Sequence, residues 1–169
     1  MGVKEELIIN KLHKLLSSSK LTISTAESCT GGIISSELTK LPNSSSYFIG
    51  AVVAYQNSIK ENVLGVSNST LAEHGAVSEQ TVKEMVKGVA KLMKTDLAIS
   101  ISGIAGPGGG STHKPVGTIW TAYYIKGRVY TKLLQLKGSR DENRLEASRL
   151  ALEEVILYTE KALENGEKI

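Results

Sequence analysis

Two continuous apolar runs of strand length set the architecture. Phe48–Tyr55 reads Phe-Ile-Gly-Ala-Val-Val-Ala-Tyr, and Leu97–Ser102 reads Leu-Ala-Ile-Ser-Ile-Ser. A strand with one wet face alternates apolar and polar residues, so runs without that alternation are expected to be covered on both faces, as in an α/β sheet. Amphipathic helices to supply the cover are present. Residues 3–18 place Ile8, Leu12, Leu15 and Leu16 on one stripe, and Ser78 to about Lys94 carries Val82, Met85, Val86, Val89 and Met93 at helical spacing. A last helix from Asp141 is expected to turn Leu145, Leu152, Val155, Ile156 and Leu163 inward.

The remaining elements follow from local signals. A short strand at Leu21–Ser24 precedes a helix carrying Ile33, Ile34, Leu38 and Leu41, which Pro42 stops. Asn57 is expected to cap a short helix running through Lys60 to Leu64, closed by Gly65. Thr118–Ile125 and Val129–Leu136, joined by Lys126-Gly127-Arg128, form a hairpin. The order α-β-α-β-α-α-β-β-β-α predicts a three-layer α/β/α sandwich with a mixed, mostly parallel sheet of about five strands, as a single domain over 1–169.

Composition excludes several classes of function. The 20 basic residues are interleaved with 17 acidic ones, and one Phe and one Trp leave no aromatic platform, so nucleic-acid binding is not expected. A single cysteine, Cys29, cannot make an internal disulfide and fits a reducing, cytoplasmic setting. The N-terminus lacks a signal-peptide apolar core, and no run is long enough to span a membrane. His13, His74 and His113 are scattered without ligand spacing, so neither a metal nor a His-based triad is expected, and the serine chemistry read below calls for no cofactor.

Three stretches could carry chemistry. Thr25-Ala-Glu-Ser-Cys-Thr-Gly-Gly32 lies where a strand turns into a helix, with Ser28 to Thr30 expected at the N-cap and Gly31 and Gly32 in the first turn. Helix-start N–H groups lack intrahelical partners, so a hydroxyl at Ser28 beside donors at Thr30 and Gly31 has the layout of a nucleophile at an oxyanion hole. Ordinary capping is the alternative use of the same residues. The pair Tyr55 and Lys60 sits at the end of the next strand, where ligands gather in open α/β sheets. A lysine there can serve as the base for Ser28 if burial lowers its pKa. The third stretch, Ser102–Thr112, is glycine-rich but is not a Walker A loop. Gly103, Ala105, Gly106, Gly108 and Gly109 are candidates to cradle an anion or phosphate, with Arg140 and Arg144 as candidate clamps.

These segments together resemble the C-terminal domain of the competence/damage-inducible protein CinA, the nicotinamide-nucleotide amidase family. The matching residues include 25–32, Gly50 to Tyr55 with Asn57 and Lys60, Gly75-Ala-Val-Ser78, 102–110, Lys114-Pro-Val-Gly117, and Gly138-Ser-Arg140 with Arg144. The resemblance implies the same three-layer fold and hydrolysis of nicotinamide mononucleotide to nicotinate mononucleotide and ammonia. It implies a serine nucleophile, Ser28, helped by Lys60 and Tyr55, with a small-molecule nucleotide as the partner and homo-oligomers as the frequent assembly. Ala51 and Asn43 stand where the family usually has glycine. The amino-terminal domain of longer relatives is not in this sequence, so activity belonging to it is not expected. The rival is a nucleotide- or phosphate-binding module without turnover; a second rival makes Cys29 the nucleophile.

Overall fold

The computed structural model describes residues 3–166, so the ends of the expected 1–169 domain lie outside the described residues. In chain order the elements are α1 (Val3–Ser19), β1 (Ile23–Glu27), α2 (Ile33–Leu38), β2 (Phe48–Val53), α3 (Asn57–Asn62), α4 (Asn68–His74), α5 (Glu79–Met93), β3 (Leu97–Gly103), β4 (Thr118–Ile125), β5 (Arg128–Gln135) and α6 (Arg140–Glu164). The strands form one sheet in the order β2-β1-β3-β4-β5. It is evenly mixed rather than mostly parallel: β1 pairs in parallel with β2 and β3, while β3–β4 and β4–β5 are antiparallel.

The two faces of the sheet are built from different side chains. Ala26, Ala98 and Ala122 point to one face, where α5 packs Val82, Met85, Val86 and Val89 onto them. Small strand residues let a helix approach closely. The other face carries Ile23, Ile99, Ile101, Ile119 and Tyr123, and is covered by α1, α2 and α6 through Leu12, Leu16, Ile34, Leu152, Val155 and Ile156. The result is the three-layer α/β/α sandwich.

Several expectations are corrected. Phe48–Val53 is an edge strand, not one buried on both faces, and Ile49 and Val53 are each 48% exposed. An apolar run alone does not distinguish a central strand from an edge. In α6, Leu145 and Leu163 face outward, because the helix is long and its inward stripe is carried by Ala147, Ala151, Leu152, Val155 and Ile156. The hairpin turn is two residues, Lys126 and Gly127, both at positive φ as a tight hairpin requires, and Arg128 already pairs with Ile125. Asn57 is the first residue of α3, with Gln56 at the cap position. The short helix α4 was not expected; Ser67 caps it by accepting from the Thr70 amide.

The parallel half of the sheet positions the site. The carboxyl ends of β1, β2 and β3 point the same way, bringing together Ser28, the Ala54–Tyr55 peptide and the segment after Gly103. The ladder continues one step beyond the strands, with Ser28 N–H on the Ile101 carbonyl at 3.0 Å and Ala54 N–H on the Glu27 carbonyl at 2.8 Å. The turn after α3 is held by close backbone contact. A Cβ on Gly88 of α5 would stand 1.9 Å from the Leu64 carbonyl oxygen. Gly88→Ala should therefore destabilise the fold by about 1–3 kcal/mol, the usual cost of overpacking, measured by denaturant unfolding. A variant as stable as the parent would show that this contact relaxes freely.

Candidate active site

The site is organised around a carboxylate that is not itself a candidate nucleophile. Glu27 is fully buried at the end of β1. Its Oε2 accepts from the Gly32 and Ile34 amides at 3.0 and 3.1 Å and from the Thr30 hydroxyl at 2.7 Å. Its Oε1 accepts from the Ser35 amide at 2.8 Å and from the Ser35 hydroxyl. Helix-start N–H groups favour negative charge, and here the chain supplies that charge itself. This shifts the helix boundary relative to expectation. α2 begins at Ile33 after Gly32, and Gly31 and Gly32 have φ of 62° and 103°, outside any right-handed helix. Ser28 to Thr30 are therefore not the N-cap; Glu27 does the capping and Ser28 is released from that role.

Ser28 meets Lys60 across the strand ends. Lys60 is 1% exposed, and its Nζ lies 3.1 Å from Ser28 Oγ, 2.7 Å from the Ala54 carbonyl and 3.3 Å from the Tyr55 carbonyl. No carboxylate is among these partners. Carbonyls only accept, whereas a hydroxyl accepts or donates. The same three contacts thus satisfy an ammonium with three N–H bonds, or a neutral amine with two N–H bonds and a lone pair facing the serine. Burial lowers the Lys60 pKa from its ordinary value, and the neighbouring Cys29 opposes that shift.

Cys29 lies beside Ser28 in sequence but is chemically different. Burial, with Glu27 adding to it, pushes its thiol up to about 12. A thiol rather than a thiolate is a weak nucleophile, which disfavours Cys29 in that role.

The two arginines of α6 act differently from each other. Arg140 donates from Nη1 to the Gly106 carbonyl at 2.8 Å and from Nη2 to the Tyr55 hydroxyl at 2.9 Å. Tyr55 therefore turns its ring outward, 57% exposed, and meets Lys60 through its main-chain carbonyl while its hydroxyl meets Arg140. Arg144 donates from Nε to the Cys29 carbonyl at 3.0 Å and from Nη2 to the Thr30 carbonyl at 3.1 Å, so the phosphate-clamp role considered for it meets an engaged guanidinium. The Gly31 amide, an expected oxyanion donor, donates to the Ser28 carbonyl at 3.1 Å.

The glycine-rich segment is partly a packing device. A Cβ at Gly103 would come within 2.4 Å of Ile119, and one at Gly106 within 2.6 Å of Val116, so both glycines permit close approach to neighbouring chain. Gly108 has open space around it, and Gly109 adopts φ of 86°. Ala105 is buried, and its carbonyl accepts from Asn143 Nδ2 at 3.0 Å. Asn143 was missed from sequence. It is 1% exposed and also bonds both backbone groups of Gly138, tying the start of α6 to the loop. An asparagine three residues into a helix carries no sequence signal for such a role.

A three-layer α/β/α domain with a buried Ser–Lys pair at the carboxyl ends of its parallel strands is the class these observations define. The chain belongs to the CinA C-terminal domain family, whose model matches residues 5–159. A putative competence-damage inducible protein of Clostridioides difficile is 47% identical over 157 residues, 93% of this chain and 38% of that protein. The chain thus spans somewhat over a third of the length of that relative; for a CinA-like protein of Kosmotoga olearia, 45% identical, the share is 37%. Among solved structures, a CinA superfamily protein of Klebsiella pneumoniae superposes with a TM-score of 0.90 at 33% identity, covering 95% of this chain and 99% of that one. A competence/damage inducible protein of Agrobacterium tumefaciens gives 0.88 at 39% identity, covering 93% and 96%. Among the described residues no helix is long and apolar enough to cross a membrane, and no cluster of three or more His, Cys, Asp or Glu could hold a metal ion.

Two outcomes test this geometry. Glu27→Gln replaces one acceptor oxygen by a donor facing donors and should destabilise the fold by about 2–4 kcal/mol in denaturant unfolding. The lowered Lys60 pKa means that, between its folded value and the ordinary lysine value, the unfolded chain binds more protons than the folded one. Lys60 should therefore make stability rise with pH across that window. Lys60→Met should remove this component, and a wild type and variant with parallel stability-versus-pH curves would show that Lys60 is not perturbed.

Proposed function

We propose that the chain hydrolyses the carboxamide of nicotinamide mononucleotide, giving nicotinate mononucleotide and ammonia. The observation that carries this reading is the Ser28 hydroxyl 3.1 Å from the nitrogen of the buried Lys60. A merely phosphate-binding loop has no need of such a pair. Neutral Lys60 takes the Ser28 proton as Oγ bonds to the amide carbon, forming a tetrahedral oxyanion. The C–N bond then breaks, and the Lys60 ammonium gives its proton to the departing nitrogen, which leaves as ammonia. Water attacks the resulting ester, its proton passing to Lys60 and then to Ser28, and the nicotinate product leaves.

The other assignments belong to the same reading. A main-chain donor of the 29–31 turn, first of all the Thr30 N–H, stabilises the oxyanion; Gly31 contributes there only by giving up its bond to the Ser28 carbonyl. Tyr55 supports Lys60 through its carbonyl. The loop at Gly103, Ala105, Gly106, Gly108 and Gly109, with those Arg140 donors that face away from Gly106 and Tyr55, takes the 5′-phosphate. The domain works as a homo-oligomer without a metal or organic cofactor.

Ammonia release from the mononucleotide tests the reaction, and stoichiometric binding without ammonia would favour the binding module. Ser28→Ala should lose nearly all turnover while still binding the nucleotide; full activity in that variant would reject the serine. kcat/KM should rise with pH through an apparent pKa below that of free lysine, and Lys60→Arg should be almost as inactive as Lys60→Ala, since arginine keeps its proton. Nicotinamide riboside, lacking the phosphate, should be poorer by about 30- to 150-fold in kcat/KM, the scale of a charge-assisted contact of roughly 2–3 kcal/mol. Equal rates on both would reject the phosphate assignment.

A further inference from the structure

Arg144 sits one turn into α6, and its guanidinium reaches back to the turn after Ser28. Nε donates to the Cys29 carbonyl at 3.0 Å and Nη2 to the Thr30 carbonyl at 3.1 Å. Nη1 lies 3.5 Å from Asp141 Oδ1, so the group is held from its solvent side as well. A Cβ on Gly31 would stand 3.4 Å from Nη2, and the φ of 62° there suits glycine, so the turn is shaped to receive the planar cation.

Gripping these carbonyls has a consequence on the opposite side of the chain. A trans peptide is planar, with C=O and N–H pointing in opposite directions. Fixing the Cys29 carbonyl therefore fixes the Thr30 N–H, and fixing the Thr30 carbonyl fixes the Gly31 N–H. Of the two N–H groups fixed in this way, that of Gly31 is engaged by the Ser28 carbonyl, so the Thr30 N–H, in a residue buried beside Ser28, is the one left to point away from α6. A cation behind the Cys29 carbonyl also polarises that peptide and strengthens its N–H as a donor. Glu27 holds the same stretch by the Thr30 hydroxyl and the Gly32 amide, so the turn is clamped through its carbonyls by one charge and through its donors by the other.

We infer that Arg144 is a positioning residue, which aims and polarises the Thr30 N–H as oxyanion donor for the acyl group carried on Ser28. This rests on the serine-hydrolase reading proposed above. Arginine is required rather than lysine, because two carbonyls need two donors at a fixed spacing.

The test uses the full chain with Arg144→Lys and Arg144→Met, assayed on nicotinamide mononucleotide and on its riboside. Removing an oxyanion donor costs on the order of 10²- to 10³-fold in kcat, so misaiming one should cost about 10- to 100-fold. The loss is expected in kcat, by the same factor on both substrates, with KM and calorimetric affinity for nicotinate mononucleotide within about twofold, the tolerance allowed for a ground state that does not use the hole. A 3-formylpyridine analogue of the mononucleotide, whose aldehyde traps serine as a tetrahedral adduct, should lose affinity in step with kcat/KM. Unchanged kcat, a loss confined to KM or to the phosphorylated substrate, or a loss matched by weaker product binding would each overturn the inference. Wild type and Ser28→Ala are run alongside: a silent wild type defeats the parent reading and the inference together, whereas an active wild type with an unaffected Arg144→Met defeats the inference alone.

Discussion

The buried Glu27 carboxylate is the interaction on which the site depends. A charge removed from water is tolerable only when nearly every lone pair is engaged, and the segment 30–35 folds around it to provide those donors. The Thr30 hydroxyl, the Gly32, Ile34 and Ser35 amides and the Ser35 hydroxyl all converge on it. Two consecutive left-handed glycines are needed to swing the chain round so that this happens. The six-residue α2 is too short to be stable on propensity alone, and it exists because its N-terminus is anchored on that charge and its Ile34 and Leu38 are buried.

The same fixed turn ties the two faces of the sandwich to the site. α2 and α6 lie on the face of the sheet with the large aliphatic side chains, and α6 sends Arg140, Asn143 and Arg144 to the loops at the strand ends. From the other face, α5 presses Gly88 against the Leu64 carbonyl, just beyond the helix bearing Lys60. The Ser–Lys distance is thereby set by packing on both sides of the sheet rather than by the pair itself.

Much of this was legible in the sequence because the signals were local. Apolar runs gave the strands, Ser78 gave the start of α5, and the spacing of Ser28 and Lys60 relative to strand ends placed them together. What escaped depended on contacts between distant segments. Nothing near Phe48 says how far the helices reach over the edge of the sheet, so the apolar run reads as covered on both faces when Ile49 and Val53 are in fact exposed. Leu145 has the right helical phase for burial, but what faces it is decided by α1 and α2, more than a hundred residues away. That Glu27 takes the capping task in place of Ser28 depends on the chain turning left-handed at Gly31, which no local signal in the sequence announces. Tyr55 is read from sequence as a helper beside Lys60; its carbonyl meets Lys60, while its hydroxyl meets Arg140, a partner 85 residues on that no local pattern announces.

The hydrogen-bond neighbourhood of Lys60 has a kinetic consequence. Because two carbonyls and a hydroxyl satisfy both protonation states of the amine, a proton can pass between oxygen and nitrogen without any heavy atom of the protein changing partner. In water the same transfer would require the surrounding dipoles to turn over. Here the dipoles are peptide groups locked in place at the end of a sheet, so in the reaction proposed above the transfer would need little reorganisation, and its barrier would be set by the acidity gap between serine and lysine rather than by solvent rearrangement.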